Sequence, residues 1–376
     1  MKTSRIQNFS STSIDERIDY VANFSELTDK EKEHLYNSFS IIKKEYGEKL
    51  IENCICGNPL TGIITNANIN DRDYLIPLST EEPSIIAAAS RAFKLAGENT
   101  IEAESLGNYM TGQIQITGLK DIHEAESVLK DNEEKILGLV NKRHRYTKAE
   151  SIELEQSEDE LLLYLIVNTG DIQGANTINK MCEYIAPYIE EITDGEVIAK
   201  IISNYADRCL VKGKMRIRKE NLHRSSFSDK EVLERFLKVS GLAQRNMHRA
   251  ATNNKGIMNG IIGVATATGQ DTRAIEVAAH TYCCRKGKYA PLSYWYEEDE
   301  YLVGEIEMPM PIGIVRGATE HPYYSLGLKI LGVGSAQEFQ KILVSTGLAN
   351  NFSATQEIAT KGITAGHMNL HKKRFE

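Results

Sequence analysis

Two adjacent carboxylates, Glu81 and Glu82, precede a proline and a run of small apolar residues that ends near Ser90. Proline is favoured at the first helical position, because its missing N–H would be unpaired there in any case. The alanines allow another backbone to approach closely, so we expect a buried helix over 82–97 with Glu82 at its edge. The helix N-terminus favours the charged carboxylate, whereas burial favours the neutral acid. If burial dominates, Glu82 can donate a proton near neutral pH; otherwise it only complements the helix dipole.

Lys255 lies in a segment rich in amide side chains, which runs from Arg249 to Gly260. An ammonium group held by asparagine side chains is suited to stabilising a negative oxygen. The structural alternative is a solvated loop lysine, because the segment 253–270 is rich in glycine.

Asp271 and two histidines are further candidates for acid–base chemistry. Asp271 begins a helical pattern, and aspartate is strongly preferred as an N-cap; the functional alternative is a carboxylate that tunes a nearby lysine or glutamate. His367 and His371 share one helix face, but no HExxH glutamate or third ligand accompanies them, so we predict no metal site. A single general acid is the better functional interpretation, against a polar surface histidine.

The segment 168–177 lies between an apolar strand pattern and an amphipathic helix pattern. Its glycines, Gly170 and Gly174, allow a tight turn, and the following helix start offers free N–H groups to a phosphate. The segment lacks the GxGxxG fingerprint of dinucleotide-binding folds. A phosphate-binding turn and an ordinary capped strand-to-helix turn therefore both remain open.

The order of patterns over 108–216 is β-α-β-β-α-β, which is a ferredoxin-like split arrangement. Its members are strand patterns at 109–116, 151–155, 161–167 and 196–204, and helical patterns at 121–143 and 175–192. We therefore predict an α+β protein, in which a small domain (108–216) is inserted into a large, mostly helical domain (1–107 and 217–376).

Bulk properties restrict the class of function. The chain has 376 residues and a formal net charge of −8, which disfavours general binding to nucleic acid or to an anionic membrane. We find no apolar run long enough to span a membrane and no apolar core of a signal peptide, so we expect a cytoplasmic location. The six cysteines lack metal spacing, and we expect free thiols.

Several of these segments together resemble one enzyme family. The chain is similar to 3-hydroxy-3-methylglutaryl-CoA (HMG-CoA) reductases, and to the bacterial class II branch, over nearly its whole length. The motifs that carry the resemblance are, in the family's order, Glu81-Glu82-Pro83-Ser84, Asp171-Ile172-Gln173-Gly174-Ala175-Asn176, Asn254-Lys255-Gly256-Ile257-Met258-Asn259-Gly260, Ala267-Thr268-Gly269-Gln270-Asp271 and Gly366-His367-Met368.

The resemblance implies a reduction of the HMG-CoA thioester to mevalonate and coenzyme A by two hydride transfers, or the reverse oxidation. Lys255 would stabilise the oxyanion, and Glu82 would supply protons to the reduced oxygen. Asp271 would join the hydrogen-bond network that sets their charge, and His367 would protonate the departing CoA thiolate. The substrate-binding residues would be Ser84, Asn204, Arg249 and Asn259.

The resemblance also implies NADPH or NADH as the cofactor, bound to the small domain. The residues that would hold it are Asp171, Gln173, Gly174, Ala175 and Asn176. Ile172-Gln173 replaces the family's more usual Ala-Met, which leaves the preference between the two cofactors open.

The family implies a homodimer or a higher even oligomer, whose active sites lie where subunits meet. Two features of this chain depart from the pattern. Asn253 stands where histidine is common, and the chain ends at Glu376, where class II enzymes continue into a helical flap domain, so we expect that domain to be missing. The alternative function is a catalytically impaired relative that binds CoA or a nucleotide and regulates a partner.

Overall fold

The computed structural model describes residues 3–39, 53–57, 60–82, 84–143, 146–316, 319 and 322–362. Helices and strands are mixed along the chain and surround two separate hydrophobic cores. The described strands are β1 (Cys56–Gly57), β2 (Leu60–Ile69), β3 (Arg72–Ser79), β4 (Ile101–Ser105), β5 (Tyr109–Thr117), β6 (Lys148–Ser157), β7 (Glu160–Asn168), β8 (Glu196–Ser203), β9 (Leu210–Arg218), β10 (Ser293–Glu298) and β11 (Tyr301–Pro309).

The described helices connect these strands and cover their faces. They are α1 (Ile14–Phe24), α2 (Asp29–Asn37), α3 (Ser84–Ala96), α4 (Ile122–Asp131), α5 (Glu133–Asn141), α6 (Ala175–Thr193), α7 (Asp229–Arg245), α8 (Met247–Ala267), α9 (Thr272–Cys283), α10 (Pro322–Leu331) and α11 (Ala336–Ala359). None of them is long and apolar enough to cross a bilayer.

The first core lies between two antiparallel sheets and a group of helices. Its sheets have the strand orders β1-β2-β3 and β10-β11-β9-β4. Helix α11 runs through this core and packs against α3, α8 and β9. α11 is buried on all sides and therefore has no solvent-exposed polar face. It buries Phe339 and Phe352 together with many polar side chains.

The second core is formed mainly by the segment from β5 to β8. Its sheet has the order β6-β7-β5-β8, with every neighbouring pair antiparallel, and α4, α5 and α6 pack on one face. The apolar stripe of α6 is buried as its spacing predicts, at Ile178, Met181, Cys182, Ile185 and Ile189. Two helices, rather than the single one predicted over 121–143, connect β5 to β6, because Asn132 is both the C-cap of α4 and the N-cap of α5.

β9 lies at the end of the small domain that we predict over 108–216, but it does not pair with the strands of the second core. β9 pairs with β4 and β11, and its buried residues Val211, Met215 and Ile217 belong to the first core. The alternating pattern of β9 resembles that of any half-buried strand, so periodicity alone cannot tell which sheet it joins. The segment that carries the second core ends before residue 210.

The part of the chain that we predict to be mostly helical contains the two sheets of the first core in addition to its helices. Strands such as β2 are buried on both faces, so they lack the alternation that marks a half-buried strand. Conversely, the glycine-rich segment 253–270 is helical as far as Ala267. Its glycines allow close packing: a methyl group added at Gly263 would lie 2.5 Å from Leu78.

The chain passes between the two cores at two points, and one buried cluster holds both of them. Asn108 precedes β5, and Cys209 precedes β9. The amide of Gln340, on α11, donates to Asn108 Oδ1 at 3.1 Å and to the Met310 carbonyl at 3.0 Å. Cys209 contacts both of these acceptors as well. The segment 109–203 is therefore anchored to the central helix of the first core at both of its ends.

Candidate active site

Glu82 lies immediately before α3, at the edge of the first core, as the sequence predicts. Ser84 Oγ donates a hydrogen bond to Glu82 Oε1 at 2.8 Å, and the Glu82 backbone N–H donates to Thr80 Oγ1 at 3.2 Å. The side chain retains 28% of its exposure. The carboxylate is thus held at one oxygen by the serine that begins α3.

Lys255 supplies the group that faces the other carboxylate oxygen of Glu82. Its Nζ lies 3.9 Å from Glu82 Oε2. Lys255 lies within α8 and not on a loop, and Asn259 follows one turn later on the same face. The neighbouring Asn254 instead turns into the core, where it binds Tyr289, Ala290 and Leu292, so its amide is structural.

A cavity of about 330 Å³ opens beside this pair, between α3, α8 and α11. The small residues Ala87, Ala88, Gly256 and Ala354 form part of its wall. Its polar lining includes the predicted substrate residues Ser84, Arg249 and Asn259 together with Glu82 and Lys255. Residues from distant parts of the chain therefore converge on one cavity.

Arg249 contributes a cation to this cavity. Burial lowers the pKa of its guanidinium, and its Nε is buried without a hydrogen-bond partner among the described residues. No carboxylate in the described part of the chain forms an ion pair with it. A half-buried guanidinium in this state is suited to binding an anionic group of a ligand.

Sequence reasoning missed several polar residues of the same cavity. They are Arg91 on α3, Arg224 before α7, and Asn350, Asn351, Thr355 and Glu357 on α11. Polar side chains at consecutive turns of an otherwise apolar helix were the available signal. That signal has meaning only once α11 is known to be buried.

Asn253, where the family commonly has histidine, belongs to a closed buried network. Asn351 Nδ2 donates to Asn253 Oδ1 at 2.8 Å, and Asn253 Nδ2 donates to Ser293 Oγ at 3.1 Å. Ser293 Oγ and Trp295 Nε1 both donate to Asn351 Oδ1, at 2.9 and 2.7 Å. These bonds fix the orientation of the Asn351 amide at the cavity wall.

Asp271 is not part of this cavity. It is the N-cap of α9, where Oδ1 accepts from the backbone N–H groups of Arg273 and Ala274 at 3.1 and 3.2 Å. Asn204 lies in an exposed turn after β8, also outside the cavity lining. His367 lies outside the described residues. Within one chain, the structure therefore brings together Glu82, Lys255, Ser84, Arg249 and Asn259.

The predicted cofactor turn, 168–176, joins β7 to α6. Gly174 is the N-cap of α6 with φ 91°, and it has no side chain that could cap the helix. Among the described residues, the first N–H groups of α6 therefore lack a side-chain acceptor, which favours a phosphate-binding turn over a capped one. Asp171 has a different role, because its Oδ1 accepts from the Ala336 N–H at 2.8 Å, at the start of α11.

Two of the composition-based predictions can be compared with side-chain geometry. The described cysteines Cys54, Cys182, Cys209, Cys283 and Cys284 are free thiols, as predicted. The described side chains contain no group of three or more His, Cys, Asp or Glu that could hold a metal ion.

Comparisons with known proteins agree on one family. The family model for hydroxymethylglutaryl-coenzyme A reductase matches residues 13–372. A 3-hydroxy-3-methylglutaryl-coenzyme A reductase of Archaeoglobus fulgidus is 39% identical over 386 aligned residues, which cover 99% of this chain and 87% of that protein.

Solved structures from Streptococcus pneumoniae are similar to nearly the whole chain. One 3-hydroxy-3-methylglutaryl-coenzyme A reductase superposes with a TM-score of 0.84 at 33% identity, covering 97% of this chain and 90% of the other. A class II enzyme bound to NADPH in open conformations gives a TM-score of 0.83 at 32% identity, covering 94% and 99% of the two chains. The chain belongs to the hydroxymethylglutaryl-CoA reductase family, and it resembles the bacterial class II branch.

Proposed function

We propose that this chain reduces HMG-CoA to mevalonate and coenzyme A with a nicotinamide cofactor, or catalyses the reverse oxidation. The observation that carries the proposal is the distance of 3.9 Å between Lys255 Nζ and Glu82 Oε2 beside a cavity that also contains Arg249. A cation, an acid and an anion-binding group are what a carboxylate-bearing thioester requires for reduction.

Lys255 and Glu82 divide the chemistry at the thioester oxygen. A bound nicotinamide cofactor would supply the hydride in both reduction steps. When the thioester carbon is reduced, the Lys255 ammonium would stabilise the negative charge on its oxygen. The CoA thiolate would then leave, and we assign the proton for this sulfur to His367. When the resulting aldehyde is reduced, Glu82 would donate the proton to the alcohol oxygen.

Arg249 and Ser84 act at the substrate and at the acid, respectively. The half-buried Arg249 guanidinium would bind the carboxylate of the HMG group, because it has no carboxylate partner among the described residues. Ser84 lines the cavity and donates to Glu82 Oε1 at 2.8 Å. Ser84 therefore orients the acid as well as contacting the substrate, and Asn259 contributes a neighbouring amide.

The segment with the second core would bind the cofactor, as an inserted ferredoxin-like domain. Its strand order and the uncapped N-terminus of α6 support this assignment. We place its boundaries at the buried crossings, Asn108 and Cys209. We assign NADPH or NADH to the turn formed by Asp171, Gln173, Gly174, Ala175 and Asn176; NADPH is bound in the S. pneumoniae class II structure.

We further propose a homodimer, in which the partner subunit completes the site. Lys255 is 68% exposed in the single chain, and water would weaken its effect on an oxyanion. A second groove, of about 540 Å³, lies on the other side of Lys255 and is also lined by Asn259 and His280. A partner subunit that covers this groove would bring its own copies of Asp271 and Asn204 to the site. Within one chain, these two residues lie outside the cavity.

The direct test is nicotinamide oxidation by the purified chain with HMG-CoA and either NADPH or NADH. We expect absorbance loss with at least one cofactor, and mevalonate and free CoA as products in equal amounts. The reverse reaction should consume mevalonate and CoA with the oxidised cofactor. A folded protein that binds CoA but transfers no hydride in either direction would refute the proposal and favour the regulatory alternative.

A further inference from the structure

The loop that follows β11 brings an arginine to the proposed cofactor turn (168–176). The Ile314 N–H donates to the Asp171 carbonyl oxygen at 2.9 Å, which fixes this loop to the turn. Arg316 follows two residues later, so its Cα lies within about 7 Å of the Ile314 Cα. Its side chain is exposed, and the assignments above do not use it.

The Arg316 guanidinium stacks on the ring of Tyr146, with its central carbon 4.5 Å from the ring centroid. Tyr146 borders the same turn, because a methyl group added at Gly170 would lie 3.1 Å from the Tyr146 carbonyl oxygen. The electron-rich face of the ring attracts the cation and restricts the long arginine side chain. Stacking uses the flat face of the guanidinium, so the N–H groups at its edge remain accessible to a ligand.

The backbone of Arg316 adopts a conformation that arginine rarely takes. Its φ is 66°, in the left-handed region, where Cβ crowds the backbone and glycine is favoured. The loop is held on both sides of the residue, by the Ile314 bond and by Thr319 Oγ1, which donates to the Arg316 carbonyl at 2.7 Å. Strained residues that their surroundings hold in place are concentrated at functional sites. The strain therefore points to a role for the side chain that glycine would not supply.

The charges at this place favour an anionic ligand. In the described part of the chain, no carboxylate forms an ion pair with Arg316. Asp171 is the one acidic residue in the sequence from 168 to 176, and its Oδ1 already accepts from the Ala336 N–H at 2.8 Å. Lys148, two residues after Tyr146, adds a further positive charge.

The position of Arg316 distinguishes between the phosphates of a dinucleotide. The first N–H groups of α6, which follow Gly174, suit a pyrophosphate. The guanidinium lies over Tyr146, which precedes β6, and so offers a second place for an anion. NADPH differs from NADH by one phosphate, on the 2′ oxygen of the adenosine ribose, and arginine is suited to accommodate this group.

We propose that Arg316 binds the 2′-phosphate of the cofactor and makes this chain selective for NADPH over NADH. The inference rests on the proposed function, which leaves the choice between the two cofactors open. The N–H donors of the guanidinium match two phosphate oxygens, and the Tyr146 ring keeps them in place. NADH presents a ribose hydroxyl at this position and gains no ionic contact.

The experiment measures cofactor binding without turnover. Calorimetry gives the Kd values of NADP⁺ and NAD⁺ for the wild type and for R316G. We expect the wild type to bind NADP⁺ more tightly by about 10- to 100-fold, as for hydrogen bonds between charged groups. In R316G, the Kd for NADP⁺ should rise by about the same factor, and the Kd for NAD⁺ should change less than about threefold. The KM values for NADPH and NADH should follow the same pattern.

Glycine at this position protects the test from a folding defect. Because glycine adopts a φ of 66° without strain, R316G should unfold at the temperature of the wild type or above it. R316K keeps the charge but not the planar set of donors, so it should lose part of the preference.

R218Q is the matched control for the loss of a stacked arginine. Arg218 lies over the ring of Tyr301 at 5.3 Å. Tyr301 begins β11, whereas the loop with Arg316 follows the other end of this strand, at Pro309. R218Q should therefore alter neither Kd.

The outcomes separate this inference from the proposed function. A wild type that binds NAD⁺ as tightly as NADP⁺ would overturn the 2′-phosphate assignment. So would an equal rise of both Kd values in R316G, which would place Arg316 at the pyrophosphate instead. Both results leave the proposed function intact, whereas a folded wild type that binds neither cofactor would refute the proposed function and this inference with it.

Discussion

Lys255 Nζ, on α8, lies 3.9 Å from Glu82 Oε2, although Glu82 precedes α3 and is far away in sequence. Close packing of α8 makes this proximity possible. A methyl group added at Gly260 would lie 2.2 Å from Asn350 Oδ1, so α8 and α11 touch at a glycine. Asn350 in turn donates to the Ile85 carbonyl of α3 at 3.0 Å. One asparagine on the central helix thus contacts both α8, which carries Lys255, and α3, which follows Glu82.

Replacing Lys255 by alanine should reduce turnover strongly. If the ammonium stabilises the oxyanion, kcat for HMG-CoA should fall about 10²- to 10³-fold or more. Steady-state kinetics measures the effect. Lys212→Ala is a matched control, because the exposed side chain of Lys212 pairs with Glu104 away from the cavity. This variant should retain normal turnover. Near-normal turnover in Lys255→Ala would remove this residue from the mechanism.

Replacing His367 by alanine should separate the two halves of the reaction. If the imidazole protonates the departing thiolate, HMG-CoA reduction should fall much more than reduction of free mevaldehyde, which has no thiolate to release. The measurement is the ratio of the two rates in the variant and in the wild type. Equal losses on both substrates would contradict the leaving-group role.

Mixing two inactive variants should restore activity if the partner subunit supplies Asp271. Lys255→Ala and Asp271→Asn, unfolded and refolded together, would form mixed dimers in which one site contains both defects and the other contains neither. Random pairing then predicts about a quarter of wild-type activity. If Lys255 and Asp271 acted from the same subunit, every site would keep one defect, and no activity would return.

Gly313→Ala should weaken cofactor binding selectively. A methyl group added at Gly313 would lie 2.5 Å from Gln173 N and 2.8 Å from the Ile172 carbonyl carbon, so the proposed cofactor turn must move. We expect the KM for the nicotinamide cofactor to rise roughly tenfold, or about 1.4 kcal/mol, and the KM for HMG-CoA to stay constant.

Gly138→Ala is the control for that substitution. Gly138 lies within α5 and has open space around the position of an added methyl group. Alanine there should stabilise the protein by about 0.5–1 kcal/mol and leave both KM values unchanged. Equal changes of the two KM values in Gly313→Ala would indicate a global effect rather than a displaced turn.

The Glu31–Lys329 pair should contribute to stability in a pH-dependent way. Burial tends to raise the pKa of Glu31, but hydrogen bonds from Lys329 and Thr28 outweigh burial and hold the pKa at about 2, below the ordinary value of 4.5. The contribution is therefore complete above pH 4.5 and is lost as the pH falls towards 2. We expect about 1 kcal/mol at pH 7, since the pair is partly exposed and solvent screens it.

Glu31→Gln isolates this charge effect, because glutamine can keep the capping box with Thr28. Urea unfolding at pH 7 and at pH 2 should show a difference from wild type that disappears at the lower pH. Glu33→Gln, exposed on the same helix, should match the wild type at both values. A difference that persists at pH 2 would show that packing, and not charge, is lost.

The sequence predicted the local elements best where one face is buried. The stripe of α6 and the capping box at Thr28 follow from residue spacing and are confirmed. β2, which is buried on both faces, has no such periodicity and was missed. The glycine-rich segment around Lys255 suggested a loop, but α8 is helical there. Its glycines fit against Leu78 and Asn350, which is a tertiary contact that no local pattern shows.

The amino-acid sequence by itself determined which chemical groups are present, the family and the order of the motifs that carry Glu82, Lys255, Asp271 and His367. Only the tertiary structure decided that Glu82 meets Lys255, that Asp271 lies outside the cavity within one chain, and that Glu357 lies in its wall. The physical reason is that spacing along a chain fixes which residues share a face of an element. Which faces meet depends on packing. Buried polar atoms without a hydrogen-bond partner can be recognised only once that packing is known.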